Sequence, residues 1–116
     1  MIKKSAEPTR PVFAVVGLRY GQEAQVSRRC RDLADLKFVR GDRSETAFPA
    51  VDAVLLLTRF IEHRWTEAAY RAFPRERVHL HAGGMSSLIA KIRTLAAGPD
   101  ARRRFLWRKK ERTYST

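Results

Sequence analysis

The chain lacks two features that would place it among secreted or membrane proteins. Its one cysteine, Cys30, cannot form a disulfide within the chain, which excludes a disulfide-stapled scaffold and favours a reducing compartment. The longest apolar run, around residues 54–57, is far too short to cross a bilayer. No apolar stretch follows Lys3 and Lys4, so we do not expect a secretory signal. These absences predict a cytoplasmic protein that does not enter a membrane.

The sequence also lacks the motifs of common enzyme classes. It has no Gly-x-Ser-x-Gly elbow, and the glycine turn at residues 17–21 fits neither a nucleotide P-loop nor a dinucleotide site. Cys30 falls on the apolar side of a predicted helix, and Asp52 falls at the start of a predicted strand. His79 and His81 lie on the same face of a predicted strand. A zinc site needs further ligands, and the sequence does not require any to lie beside these two histidines. We therefore expect no enzyme activity, no cofactor and no metal.

Acidic residues are few. The chain has 12 of them against 24 basic residues, which gives a net charge of +12 and an isoelectric point near 11.0. Such an excess predicts a polyanionic partner, whether nucleic acid, an acidic membrane surface or an acidic protein. Residues 101–116 contain seven basic residues and one acid, Glu111, so this segment carries +6 of the +12. The seven are Arg102, Arg103, Arg104, Arg108, Lys109, Lys110 and Arg112.

Two aromatic residues lie inside this basic tail, which we define as residues 99–116. Phe105 and Trp107 can stack on bases, while the cations around them displace counterions from phosphates. Lys3 and Lys4, in a predicted flexible arm over residues 1–10 that also holds Arg10, would add to the same basic surface. The alternative is that the tail is a solvated basic end, or a segment ordered only in an oligomer.

Apolar strands alternate with helices between the arm and the tail. We predict strands at residues 12–16, 36–39, 51–58 and 78–82, and helices at residues 22–33, 62–73 and 86–97. This order favours a small doubly wound α/β domain over residues 11–98, with a mostly parallel four-stranded sheet in the order 2-1-3-4. It is a Rossmann- or flavodoxin-like half-domain. An edge strand leaves room for a homodimer.

Three apolar stripes define the helix faces that we expect to be buried. The stripe of the first helix comprises Val26, Cys30 and Leu33. Those of the second and third helices comprise Ile61, Trp65, Ala68 and Ala72, and Leu88, Ile92 and Leu95.

The carboxyl ends of parallel strands meet at one edge of a sheet, and ligands bind there. Loops at residues 17–21, 58–63 and 82–87 should converge at this edge. Free amides at Gly83 and Gly84, with the helix dipole behind them, make this turn an anion-binding candidate together with Ser86 and Ser87. The alternative is an ordinary turn with a serine N-cap.

Two side chains from the other loops are further candidates at this edge. Arg19 could reach an anion, and His63 could contact a phosphate or transfer a proton. The alternatives are a solvated arginine and a histidine that merely starts a helix.

A resemblance to a known family depends on three features. They are the apolar run ending at Gly17, the strand at residues 51–58 followed by His63, and Gly-Met-Ser-Ser-Leu at residues 84–88. Over residues 12–95, the chain resembles a small bacterial family of uncharacterised Rossmann-like domains with a C-terminal Gly-x-Ser-Ser-Leu motif. The resemblance implies the fold, assigns no activity, and marks three positions, His63, Ser86 and Ser87.

Together, these observations favour a non-enzymatic protein that binds DNA or RNA mainly through the phosphate backbone. One alternative is a regulatory domain that senses a phosphate-bearing small ligand among Arg19, His63, Ser86 and Ser87. Another is an accessory protein whose basic ends dock on an acidic protein partner.

Overall fold

Four parallel strands and three helices form an α/β domain in the computed structural model, which describes residues 10–97. The strands are β1 (Val12–Val16), β2 (Asp35–Val39), β3 (Ala53–Leu57) and β4 (Val78–His81). The helices are α1 (Tyr20–Cys30), α2 (His63–Ala72) and α3 (Met85–Ala97), and a short 3₁₀ turn (Arg75–Arg77) leads into β4. The predicted α/β fold is confirmed. None of these three helices is long and apolar enough to cross a bilayer.

The sheet order is β2-β1-β3-β4, as predicted, and all neighbouring strands are parallel. Val15 of β1 is paired with Phe38 of β2 on one side and with Leu55 of β3 on the other. The chain moves outward in one direction from β1 to β2 and in the opposite direction from β3 to β4. Strand order therefore reverses between β1 and β3, and a crevice is expected at the carboxyl ends of these two strands.

The burial of each strand follows from its place in the sheet. Both central strands, β1 and β3, are buried along their whole length, which explains their continuous apolar sequences. The edge strand β2 alternates between more and less exposed residues. On the other edge strand, β4, Leu80 is 44% exposed. Pairing of two copies through one of these edges stays a prediction.

Helices cover the two faces of the sheet unequally. On one face, α1 and α3 pack against Phe13, Val15 and Leu55, with Leu88 and Ile92 contributed by α3. The other face is covered by α2 and by the connection between β2 and β3, which contains no helix. The ring of Phe48, from that connection, contacts the rings of Trp65 and Phe73 edge-on, at 5.6 Å between centroids in each case. Aromatic packing therefore replaces a helix on this part of the sheet.

The structure corrects the predicted start of the first helix. Helix α1 begins at Tyr20 rather than Gln22 and ends at Cys30. Its start is set by Gln22, whose Oε1 accepts a hydrogen bond from the backbone N–H of Arg19 at 3.0 Å. A side chain that caps the backbone in this way allows the helix to begin inside a glycine-containing turn.

The predicted stripe of the second helix is wrong at two positions, because Ile61 precedes α2 and is half-buried, and Ala72 is not buried. Trp65, Ala68 and Ala69 are buried in α2, whereas Ala72 is exposed. The backbone leaves the helix at Phe73, which is extended with a φ of −134°, and the Phe73 side chain packs against the sheet instead.

Candidate functional site

A groove of about 920 Å³ lies at the carboxyl edge of the sheet, where strand order reverses. It is formed by the loops after β1, β2 and β3 and by the start of α2. We call it the switch-point groove. Its charged lining residues are Arg19, Arg40, Asp42, Arg59, Glu62 and Arg64. This is the part of an open α/β sheet in which ligands ordinarily bind.

Two glycines allow the three loops to pack together at the base of the groove. Gly17 ends β1 with a φ of +112°, and a Cβ there would lie 3.0 Å from Cγ2 of Ile61. A Cβ on Gly41 would lie 2.9 Å from the same Ile61 atom. The glycines are therefore explained by the close approach of the loops after β1 and β2 to the loop after β3.

Contacts from the first turn of α2 hold one wall of the groove. The Nε1–H of Trp65 donates a hydrogen bond to the Gly41 carbonyl oxygen at 2.8 Å. Arg64 donates from Nε to the Glu62 carboxylate at 2.6 Å and from Nη1 to the Ser44 carbonyl oxygen at 2.9 Å. It also donates to the Arg43 carbonyl oxygen. These bonds fasten the start of the β2–β3 connection to α2, so this wall exists before any ligand binds.

The remaining charge in the groove is positive. The Glu62 carboxylate is paired with Arg64, and the other charged residues that line the groove are three arginines, Arg19, Arg40 and Arg59, and one acid, Asp42. All three arginines are exposed, and no ion pair of Arg19 or Arg59 is found within residues 10–97. Cationic side chains brought together from separate loops attract anions, and phosphate most of all because guanidinium can bind it with two hydrogen bonds.

The turn at residues 83–87 is held by its own hydrogen bonds. The Ser87 hydroxyl donates to the Gly84 carbonyl oxygen at 3.1 Å, and its oxygen lies 3.3 Å from Nε2 of His81. A Cβ on Gly83 would lie 2.5 Å from the Ser87 oxygen and 3.2 Å from Nε2 of His81, so a side chain at this position would require the Ser87 hydroxyl to move. Helix α3 begins at Met85, and the Gly84 carbonyl oxygen accepts its first backbone bond, so Gly84 rather than a serine occupies the N-cap position that the alternative interpretation gave to a serine.

The predicted anion-binding residues are spread over several places. Arg19 lines the switch-point groove, whereas His63 is exposed at the first position of α2 and lies outside the groove lining. Ser86 lines a separate groove of about 210 Å³ between α1 and α3. Gly83 and Gly84 border a small recess of about 80 Å³, which Arg59 and Phe60 also border. The ligand-sensing hypothesis that joined Arg19, His63, Ser86 and Ser87 thus corresponds to no single cavity among these.

The predicted nucleic-acid contacts in the tail and in the arm are almost all outside the described residues. They comprise Lys3, Lys4, Arg102, Arg103, Arg104, Phe105, Trp107, Arg108, Lys109, Lys110 and Arg112. Arg10, the last residue of the predicted arm, is described. Its Nη2 lies 2.9 Å from a carboxylate oxygen of Asp35 and 2.6 Å from the Arg31 carbonyl oxygen. The final residue of the arm is therefore bound to the domain rather than free.

The loop after β2 also contributes to the groove, which the sequence pattern did not predict. Arg40, Gly41 and Asp42 line the groove, although only the loops after β1, β3 and β4 were expected at this edge. A signal was present, because the predicted strand order 2-1-3-4 already places β2 beside β1. A glycine and an acid directly after a parallel strand could have been read as part of the site.

Two other candidate groups do not form a reactive site. Burial raises the pKa of the Cys30 thiol above its ordinary value of 9.0, a nearby Arg93 lowers it and Asp32 raises it further, with burial the largest effect. The thiol is therefore neutral near pH 7 and packs as a small apolar group.

His79 and His81 lie on the sheet face shared by Leu55 and Leu57. No group of three or more potential metal ligands occurs in the part of the chain that the structure describes.

No protein-family model, curated protein or solved structure matches this chain. The resemblance to the uncharacterised Rossmann-like family therefore stays a prediction.

Proposed function

We propose that this protein binds nucleic acid, mainly through contacts to the phosphate backbone. The single observation that supports the proposal is the distribution of charge along the chain. Residues 101–116 carry +6, and residues 10–97 have fifteen basic and nine acidic side chains, a further +6. Both the domain and its tail are therefore basic, as expected of a protein whose partner is a polyanion.

Four of the nine acids of the domain are either paired or buried. Three of them are taken up in ion pairs, Asp35 with Arg10, Glu62 with Arg64, and Asp32 with Arg93 at 3.7 Å. A fourth, Asp52, is fully buried. Exposed arginines outside these ion pairs lie on the surface of α1 and at the carboxyl edge of the sheet, namely Arg19, Arg28, Arg29 and Arg59. Phosphates can be neutralised at these positions as well as by the tail.

Binding through phosphates has a characteristic dependence on salt. Each neutralised phosphate releases condensed counterions, so six contacts should lower affinity by roughly a thousandfold between 50 and 200 mM salt. Little sequence specificity is expected, because backbone contacts orient a protein on nucleic acid without reading bases. The rings of Phe105 and Trp107 would add stacking to single strands.

The test is a salt titration with fluorescently labelled single-stranded DNA, duplex DNA and RNA. The full chain is compared with a variant lacking residues 101–116 and with a matched control lacking residues 113–116, which removes no charged side chain. We expect the first deletion to weaken binding by about a hundredfold or more at low salt and to reduce the salt slope. The control deletion should change neither quantity.

Equal binding by the full chain and the chain without residues 101–116 would contradict the role of the tail. No binding at about 50 mM salt, or equally strong binding of polyglutamate of matched charge, would contradict the proposal itself. The last result would favour an acidic protein partner instead.

A further inference from the structure

The switch-point groove is lined by both cationic and aromatic side chains, which suits a small ligand that has an anionic group and an aromatic ring. Arg19 and Arg59 supply cationic groups from two different loops, and Phe60 supplies an aromatic ring that is 50% exposed at the same groove. The other large apolar side chains that are exposed within residues 10–97, Tyr70 and Leu80, do not line the groove. Arg19 and Arg59 form no ion pair within residues 10–97, and half of the Phe60 surface is open, so both the charge and the ring are accessible to a ligand.

The arginines lie where the phosphate of a nucleotide would be bound. Arg19 immediately precedes α1, so the N-terminus of this helix begins at the groove lining, and Arg59 approaches from the loop after β3. Helix dipole and guanidinium charge therefore act on the same region, and both favour a phosphate group.

The remaining lining residues match the other two parts of a nucleotide. The Phe60 ring can stack on a base, since stacking requires only an accessible aromatic face. The Asp42 carboxylate follows β2, and in doubly wound sheets an acid in this region accepts hydrogen bonds from ribose hydroxyls. A volume of about 920 Å³ is within the range of small-molecule sites, so the groove can accommodate phosphate, ribose and base together.

We propose that the switch-point groove binds a single nucleotide with a terminal phosphate. The phosphate lies between Arg19 and Arg59, the base stacks on Phe60, and the ribose hydroxyls face Asp42. The nucleotide is either free or the 5′-phosphorylated end of a strand. In the second case the inference adds an end-binding site to the proposed nucleic-acid function, and in the first it is independent of that function.

The wall formed by residues 40–44 keeps the site open in the absence of ligand. Trp65 and Arg64 hold this segment through three carbonyl oxygens, those of Gly41, Arg43 and Ser44. Binding therefore requires no ordering of the loop, which favours affinity.

The test measures binding of AMP, GMP and adenosine to the full chain by calorimetry. We expect both nucleotides to bind and adenosine, which lacks the phosphate, to bind at least about tenfold more weakly. Arg59→Gln and Arg19→Gln should each weaken AMP binding by about tenfold or more. Arg71→Gln is the matched control, because Arg71 is exposed on α2 and outside the groove lining, and it should leave affinity unchanged.

Two further variants test the stacking role and separate this inference from the tail. Phe60→Ala should weaken AMP binding by about fivefold or more, while Tyr70→Ala, which also removes an exposed ring, should not. The triple substitution of Arg102, Arg103 and Arg104 by glutamine should weaken oligonucleotide binding and leave AMP binding unchanged. A failure of the tail hypothesis is thereby distinguishable from a failure of the groove hypothesis.

The two sources of the nucleotide are distinguished by competition against labelled AMP. A 5′-phosphorylated hexanucleotide that competes better than its 5′-hydroxyl counterpart identifies a strand end. Competition by mononucleotides alone identifies a free nucleotide, and either result supports the site. No AMP binding at about 1 mM, equal binding of adenosine and AMP, or unchanged binding in the Arg59 and Arg19 variants would overturn it.

Discussion

Val12 and Asp52 exchange two hydrogen bonds at the start of the central strands. The Val12 N–H donates to Oδ2 of Asp52 at 2.8 Å, and the Asp52 N–H donates to the Val12 carbonyl oxygen at 2.7 Å. The buried Arg77 donates to the carbonyl oxygens of Asp52 and Val51 at 2.6 and 2.7 Å. The amino edge of the sheet is thus held by buried polar contacts, whereas the opposite edge carries the exposed arginines of the switch-point groove.

The Asp52 carboxylate should be a major contributor to stability. Asp52→Ala leaves the buried Val12 N–H without this acceptor, so we expect the free energy of unfolding to fall by roughly 2–3 kcal/mol in urea titrations. Asp52→Asn keeps a carbonyl acceptor and should lose less. Asp42→Ala, which removes an exposed carboxylate, is the control and should shift stability by less than about 0.5 kcal/mol. Equal losses for Asp52→Ala and Asp42→Ala would refute the structural role.

Two neighbouring glycines should respond to alanine with opposite signs. Gly17 has a φ of +112°, and a Cβ there meets Ile61 and Leu57, so Gly17→Ala should destabilise the protein by about 1–3 kcal/mol. Gly21 lies in α1, and a Cβ there meets nothing within 4 Å, so Gly21→Ala should stabilise by about 0.4–1 kcal/mol. Denaturant titration of both variants checks the pair, and the same sign for both would contradict it.

Most of the fold could be predicted because the central strands carry a strong signal. Val12–Val16 and Ala53–Leu57 are continuously apolar, as strands buried on both faces must be. Helix ends were less predictable, since the start of α1 depends on one hydrogen bond from Arg19 to Gln22. The exposure of Ala72 depends on where the chain leaves the helix, which periodicity alone does not specify.

The candidate site could be predicted as a region and not as a set of residues. Topology alone places the groove at the carboxyl edge between β1 and β3. Which side chains remain available depends on contacts between distant residues, such as Arg64 with Ser44 and Trp65 with Gly41. The hydrogen bond from the Ser87 hydroxyl to the Gly84 carbonyl oxygen joins residues that are close in sequence. It still depends on the backbone conformation of the turn, which the two serines in the sequence do not determine.

Trp65 should couple the stability of α2 to the order of the groove wall. Trp65→Phe removes the donor to the Gly41 carbonyl oxygen and leaves space in a fully buried site, so we expect a loss of about 2 kcal/mol. Amide hydrogen exchange at residues 40–44 should become faster, because this segment loses an anchor. Trp107→Phe, in the predicted basic tail, is the matched control. Unchanged exchange at residues 40–44 in the Trp65 variant would show that Arg64 alone holds the wall.

Cys30 should make the protein less stable at alkaline pH. Burial raises the pKa of its thiol in the folded state, so above pH 9.0 the unfolded chain releases a proton that the folded chain retains. In this pH range the unfolded state therefore binds fewer protons than the folded state. As a result, the free energy of unfolding falls with rising pH, by up to about 1.4 kcal/mol per pH unit. Urea titrations at pH 8 and pH 10 should therefore show a larger fall in the free energy of unfolding for the wild-type protein than for Cys30→Ala. The variant should be less stable than the wild type at both pH values, because a core atom is missing. The two pH values bracket the ordinary thiol pKa of 9.0, and lysine and tyrosine titrate equally in both proteins, so identical losses would mean that Cys30 does not contribute.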